Sequence, residues 1–189
     1  MTGIVRAMFS VPRAYIKLCF SKLCHPKSVK FGSLPRIDSS TEISFQGKVK
    51  IGKRFNMRRF STVRCRKNGT LIIGNYVSLG TNNTIVCLDE IKIGDNCEFG
   101  PNVAIFDHDH DFKTRDGLQL NKYNTSPISI GDNVWIGANS IILRGTTIGN
   151  NCVIAAGSII KGNYPDNSIV VQKKDTQIIE YSFEDDNSK

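Results

Sequence analysis

From Ile130 to Ile160 an aliphatic residue returns at every sixth position, through Ile136, Ile142, Ile148 and Ile154, without a slip. An earlier run keeps the same step through Ile73, Leu79 and Ile85 and, after an offset of two residues, through Ile93, Phe99 and Ile105. Ile51, Met57 and Val63 form a weaker set upstream. Six is not a helical period. The Gly, Asn and Asp that follow the aliphatic residues are poor helix formers, but they suit turns that need positive φ. Short strands joined by tight turns are therefore the predicted units. One such unit cannot bury its own apolar side, whereas stacked copies can, so the repeat predicts a parallel β-solenoid. An ordinary β-sandwich would require the spacing to be accidental.

The order of an aliphatic residue, a small one, two variable ones, a small or apolar one and a last variable one resembles the hexapeptide-repeat acyltransferases. The resemblance covers residues 69–165 closely and 43–68 loosely. It implies an all-β fold, a left-handed parallel β-helix with three hexapeptides per triangular coil, assembled as a homotrimer. The left hand comes from the family alone, since parallel crossovers are normally right-handed. On three hexapeptides per coil, four regular coils are expected, beginning at Ile73, Ile93, Ile130 and Ile148. The chain divides into an N-terminal arm at 1–28, a β-helix domain at 29–171 and a tail at 172–189, with a polar loop protruding at 107–127 between the second and third regular coils.

That loop opens with FDHDHDF at 106–112, which holds two of the three histidines. Its residues suit a metal site, a general base or a solvated turn. A zinc site of the kind found in related β-helix proteins needs three convergent histidines; the third here, His25, lies far off in a basic segment, so no metal is expected. A general base needs one imidazole able to take a hydroxyl proton near neutral pH. The resemblance to sugar and small-molecule acetyltransferases puts that base where His108 and His110 stand. His108, directly after the Ile105 repeat, is the better match by order; a count back from Trp135 favours His110. Asp107, Asp109 or Asp111 is suited to orient the ring.

The same resemblance assigns Asn82 and Trp135 to the acceptor, with a turn asparagine and a core or trimer-contact tryptophan as the plainer readings. It assigns a backbone N–H of Gly137 or Ala138 to the oxyanion. Acetyl-CoA is the implied donor, its pantetheine near Ala155, Ala156, Gly157 and Ser158, and its phosphates near Lys161, Lys173 and Lys174. The VVQKKDTQII segment departs from the family's usual tail, so these lysines read equally well as a solvated face. The implied reaction is acetyl transfer to a sugar hydroxyl in capsule, O-antigen or exopolysaccharide synthesis. N-acetylation of a nucleotide-linked amino sugar or an antibiotic is the rival enzyme reading, and a non-catalytic scaffold the rival of another class.

Lys and Arg exceed Asp and Glu by 25 to 17, which favours partners that carry phosphate. No nucleic-acid motif accompanies the basic KRFNMRRF and RCRKNG stretches, which read as solenoid surface or as attraction for an anionic substrate. Six cysteines without a C-x-x-C pair predict reduced thiols in a cytoplasmic protein. No secretory leader or membrane-spanning helix is expected. Residues 4–23 alternate apolar and basic faces with helical spacing, with Pro12 expected to kink or split the helix. This arm suits either peripheral contact with the inner face of the plasma membrane or a cap on the solenoid end.

Overall fold

The computed structural model describes residues 3–24, 28–116, 118–173 and 178. Strands of two to four residues wind into a left-handed parallel β-helix of about seven coils, preceded by one helix, Gly3–Cys24. Three parallel sheets form the sides of a triangular prism. The first side runs from Val29–Phe31 to Asn163–Tyr164, the second from Arg36–Ile37 to Ile169–Val170 and the third from Glu42–Phe45 to Ile159–Ile160. The chain passes from first to second to third side in every coil.

The sixfold positions stack in register. Ile51, Ile73, Ile93, Ile130 and Ile148 form one inward column, and Met57, Leu79, Phe99, Ile136 and Ile154 a second. Val63, Ile85, Ile105, Ile142 and Ile160 form the third. All are buried, so the loosely patterned coil at Ile51 packs as tightly as the regular ones. A further coil, with Val29 and Ile37 buried, precedes it. The early coils were obscure in the sequence because Leu34, Arg54 and Phe60 occupy turns where the later coils carry Asn, yet they take the same left-handed conformation, at φ 57°, 55° and 62°. Side chains also set the coil spacing: a Cβ on Gly137 would lie 2.5 Å from the Ala156 nitrogen of the next coil.

A ladder of side chains staples the edge between first and second sides. Asn75 Oδ1 accepts from Lys53 N, Asp95 from Asn75 N, Asp132 from Asp95 N, Asn150 from Asp132 N and Asp166 from Asn150 N. At the edge between second and third sides the amide of Asn82 donates to Asn102 and that of Asn102 to Asn139. Gln172 finishes the third side: its amide donates to the Ile159 carbonyl and its oxygen accepts from the Ile159 N–H, in place of another strand.

The helix covers the first coil. Ala14 and Leu18 are buried, the Tyr15 ring meets Phe31 edge-on at 6.1 Å, and Lys17 Nζ donates to the Ser39 and Thr41 carbonyls and to Thr41 Oγ1. Pro12 does not split the helix; it lies on an exposed face, where one forfeited backbone bond is tolerable against this packing. Ile16, Phe20 and Leu23 form an exposed apolar stripe on the same face as Pro12. Among the described residues, no helix is long and apolar enough to cross a membrane. Cys65, Cys87, Cys97 and Cys152 are buried free thiols, and Cys19 is an exposed one. Burial pushes the Cys97 thiol up to about 11.

Candidate active site

The polar excursion leaves the prism at the edge between third and first sides. Its root is an antiparallel ribbon that the periodicity did not predict: His108–His110 pairs with Tyr123–Thr125, setting His108 opposite Thr125 and His110 opposite Tyr123. The strand before it, Ala104–Phe106, is still part of the third side, so the inward and outward alternation continues for one further step. Ile105 points in, Phe106 is half-buried and Asp107 is wholly buried.

A buried carboxylate must be fully hydrogen-bonded. Asp107 accepts from the backbone N–H groups of Leu88 and Asp89 on the preceding coil, at 2.8–3.0 Å, and lies 3.0 Å from His108 Nδ1. His108 is held edge-on by Phe106 on one side and by Tyr123, 5.3 Å away, on another. His110 is exposed, and its ring tilts against Tyr123 at 4.7 Å. Asp109 turns to Arg144, whose Nε donates to it at 2.5 Å, so its carboxylate ties the ribbon to the next coil, and it is Asp107 that meets the His108 ring. Asp111 accepts from the backbone of Lys113 and Thr114 and from the Thr114 hydroxyl, which holds its carboxyl below the usual carboxylate range.

A cavity of about 700 Å³ opens beside His108. Val86 and Leu88 form apolar wall, Tyr123 and Thr125 come from the ribbon, and Arg66 and Lys67 come from a turn at the same edge. Tyr123 was not singled out from the sequence, and Arg66 and Lys67 entered only within the basic RCRKNG stretch, read as solenoid surface or as attraction for an anionic substrate. The nearby Cys87 thiol is buried and is pushed above its ordinary range by its hydrogen bond to Cys65 and by burial, which makes it unsuited to act as a nucleophile.

The other expected residues lie elsewhere on the prism. Asn82, Gly137, Ala138, Ala155, Ala156, Gly157 and Ser158 fall at the edge between second and third sides. Five residues of extended chain, such as Asn102 to Asp107, span ~16 Å between that edge and the one bearing His108. Asn82 occupies a left-handed turn at φ 60°, with its amide engaged by Asn102. The Gly137 N–H already donates to the Ile154 carbonyl, whereas Ala138 N has no such bond among the described residues. Ser158 is buried, its hydroxyl donating to the Ala155 carbonyl. Trp135 is 55% exposed on the second side between Glu98 and Val153, so it is not a core residue. Lys161 and Lys173 are exposed, Lys161 at the edge that carries His108. Lys174 and His25 lie outside the described residues. Among the described residues, no three His, Cys, Asp or Glu side chains converge as a metal site would require.

The fold defines the class of protein: a left-handed parallel β-helix built on hexapeptides. A family profile described as hexapeptide repeat of succinyl-transferase matches residues 127–161. A probable acetyltransferase of Mycobacterium tuberculosis is 31% identical over 83% of this chain and 53% of its own length. A galactoside O-acetyltransferase of Lactococcus lactis is 40% identical over 53% of this chain and 46% of its own. An Escherichia coli protein named for O-acetyl transfer in lipopolysaccharide biosynthesis is 26% identical over 73% and 74%. The chain thus spans about half the length of several curated relatives it matches. Of the solved structures, a hexapeptide-repeat acetyltransferase of Vibrio cholerae complexed with acetyl-CoA is 27% identical at a TM-score of 0.51, over 69% of this chain and 64% of that one. An N-acyltransferase of Bacillus cereus complexed with dTDP and coenzyme A superposes at 0.66 with 21% identity, over 78% and 82%. The chain belongs to the hexapeptide-repeat acyltransferase family, close to sugar O-acetyltransferases.

Proposed function

We propose that this protein transfers acetyl from acetyl-CoA to a hydroxyl of a sugar, with His108 as general base. The observation that carries the reading is the buried Asp107 carboxylate on His108 Nδ1. A carboxylate can only accept, so it requires the proton on Nδ1 and leaves Nε2 of the neutral ring with the lone pair. Nε2 takes the acceptor's hydroxyl proton as its oxygen bonds to the thioester carbon. The C–S bond then breaks, and the imidazolium returns the proton to the departing thiolate. His110, exposed and without such a carboxylate partner, serves the loop.

Ala138 is the better oxyanion donor, because the Gly137 N–H is engaged within the helix. The pantetheine would follow Ala155, Ala156 and Gly157, with Ser158 contributing only backbone, and the phosphates would meet Lys161, Lys173 and Lys174. Ala138 and the small residues at 155–157 occupy a different edge of the prism from His108, so the reading requires a homotrimer in which one copy's small-residue edge faces the histidine edge of the next. Trp135 and the unengaged Oδ1 of Asn82 then line the acceptor side from the neighbouring copy. The sugar O-acetyltransferases among the relatives support O-transfer and a place in polysaccharide synthesis; the Bacillus cereus fold match keeps an N-acyl acceptor as the second reading. The exposed stripe of Ile16, Phe20 and Leu23 is where peripheral contact with the cytoplasmic membrane face would fall.

Release of CoA from acetyl-CoA, followed with a thiol reagent across glycans, nucleotide sugars and simple glycosides, tests the reading. His108→Ala should lower kcat by ~10²–10⁴-fold, and His110→Ala by less than tenfold. Equal activity in the wild type and His108→Ala would remove the mechanism.

A further inference from the structure

Resting on that reading, we infer that the acceptor is acidic, and that Arg66 and Lys67 form a subsite for its phosphate or carboxylate group. Both line the cavity that His108 lines, together with Gln46 and Asn68, and no carboxylate shares that lining. Of the two acids at the same edge, Asp107 is buried and engaged by backbone N–H groups and the histidine, and Asp89, in the turn between, does not line the cavity. Neither cation has an ion pair among the described residues, in contrast to Arg64, paired with Glu42, and Arg144, paired with Asp109. Two unneutralised cations facing one recess favour an anion there, and an arginine provides paired donors that match phosphate or carboxylate.

Their position along the prism assigns them to acceptor and not to donor. The turn after Cys65 lies two coils before the turn at Asp107 on the same edge, since Cys65 pairs with Cys87 and Val86 with Phe106. At a strand spacing of ~4.8 Å this sets the cations ~10 Å from the histidine on its N-terminal side. Lys161 and the small residues at 155–157 lie on the C-terminal side. An arginine or lysine side chain reaching back from two coils meets a charge on the acetylated sugar itself or on the adjacent residue. Both phosphate esters and uronic acids present such a charge, and neutral galactosides do not.

The test compares glucose 1-phosphate, UDP-N-acetylglucosamine and methyl glucuronide with methyl glucoside, using the full chain, by direct binding and by CoA release. Binding of at least one anionic probe should exceed that of methyl glucoside at least tenfold. R66Q/K67Q should erase the preference, and in turnover its effect should fall on KM for the acceptor and not for acetyl-CoA. Preference for the phosphates alone, or for the glucuronide alone, identifies the source of the charge. Equal use of methyl glucoside, a preference that survives in R66Q/K67Q, or a KM effect on acetyl-CoA would overturn the subsite. His108-dependent turnover of methyl glucoside alone would keep acetyl transfer and remove the subsite. Anion binding lost in R66Q/K67Q, with no CoA release from any acceptor, would keep the subsite and remove acetyl transfer.

Discussion

The Asp107 carboxylate joins two coils and a histidine at once, through the N–H groups of Leu88 and Asp89 and the Nδ1 of His108. Asp107→Asn keeps the shape but replaces one acceptor oxygen with an NH₂ group that must face a donor. Leaving a buried donor unmatched costs ~1–3 kcal/mol, so the melting temperature should fall. The amide can also take up the ring's Nδ1 lone pair, which moves the ring proton to Nε2 and removes the base. A drop in kcat of ~10-fold or more, measured well below the melting temperature and with KM for acetyl-CoA little changed, would separate positioning from mere instability. The sequence displayed both histidines but enclosed each with aspartates, so composition could not choose between them. Phase could: Asp107 stands two positions after the inward Ile105 and so points inward itself, whereas Asp109 falls beyond the strand's end. Trp135 was open to the same count. It precedes a second-column residue while His108 follows a third-column one, which sets them on different sides of the prism. Arg66 and Lys67 carried no such signal, since only stacking brings residues forty positions earlier beside the histidine.

At the scale of strands and turns, the repeat specified the columns from Ile73 onward because an inward aliphatic and a turn former recur together. Upstream the two signals part company. Phe60 sits at φ 62° and is 61% exposed, in the column that continues as Asn82, Asn102 and Asn139. A bulky side chain in the left-handed region costs ~1–2 kcal/mol, and asparagine is the residue that tolerates it best outside glycine. Phe60→Asn should therefore stabilise the protein and raise its melting temperature by ~2–4 °C, as scanning calorimetry would record. The opposite edge predicts a pH effect. Asp95 accepts from both the backbone and the side chain of Asn75, which holds its carboxyl below the ordinary 3.8. A depressed folded value means that the ionised group stabilises the fold above that pH, and that this contribution disappears as pH falls through 3.8 toward the folded value. The melting temperature of Asp95→Asn should thus lie below that of the wild type at pH 7, with the gap closing below pH 4. A gap that widened in acid would contradict the ladder's role.

For the molecule as a whole, the prism leaves Trp135 and Ile159 exposed on two sides while its starting end is covered by the helix. A trimer built on those sides would bury the single tryptophan. Sedimentation should give three times the chain mass, and dilution to monomer should shift tryptophan emission to the red; a monomer at micromolar concentration with red-shifted emission would remove the shared site. The helix was legible as amphipathic, with a cap on the solenoid end as one of its two readings, but the role of Lys17 was not, because it reads as solvent-facing until its three oxygen partners are in place. Finally, the stacked register governs how the chain finds its fold. Ladder partners are 16 to 22 residues apart, except across the excursion, where Asp95 meets Asp132 at a separation of 37. Nearly every closure is therefore of middling and uniform length, and growth from any coil can proceed by short zippering steps. The one longer closure costs only ~0.5 kcal/mol more, but it divides the chain into two runs of coils that can each nucleate. His108 stands at their seam, so the register that joins the two runs is also the one that completes the site.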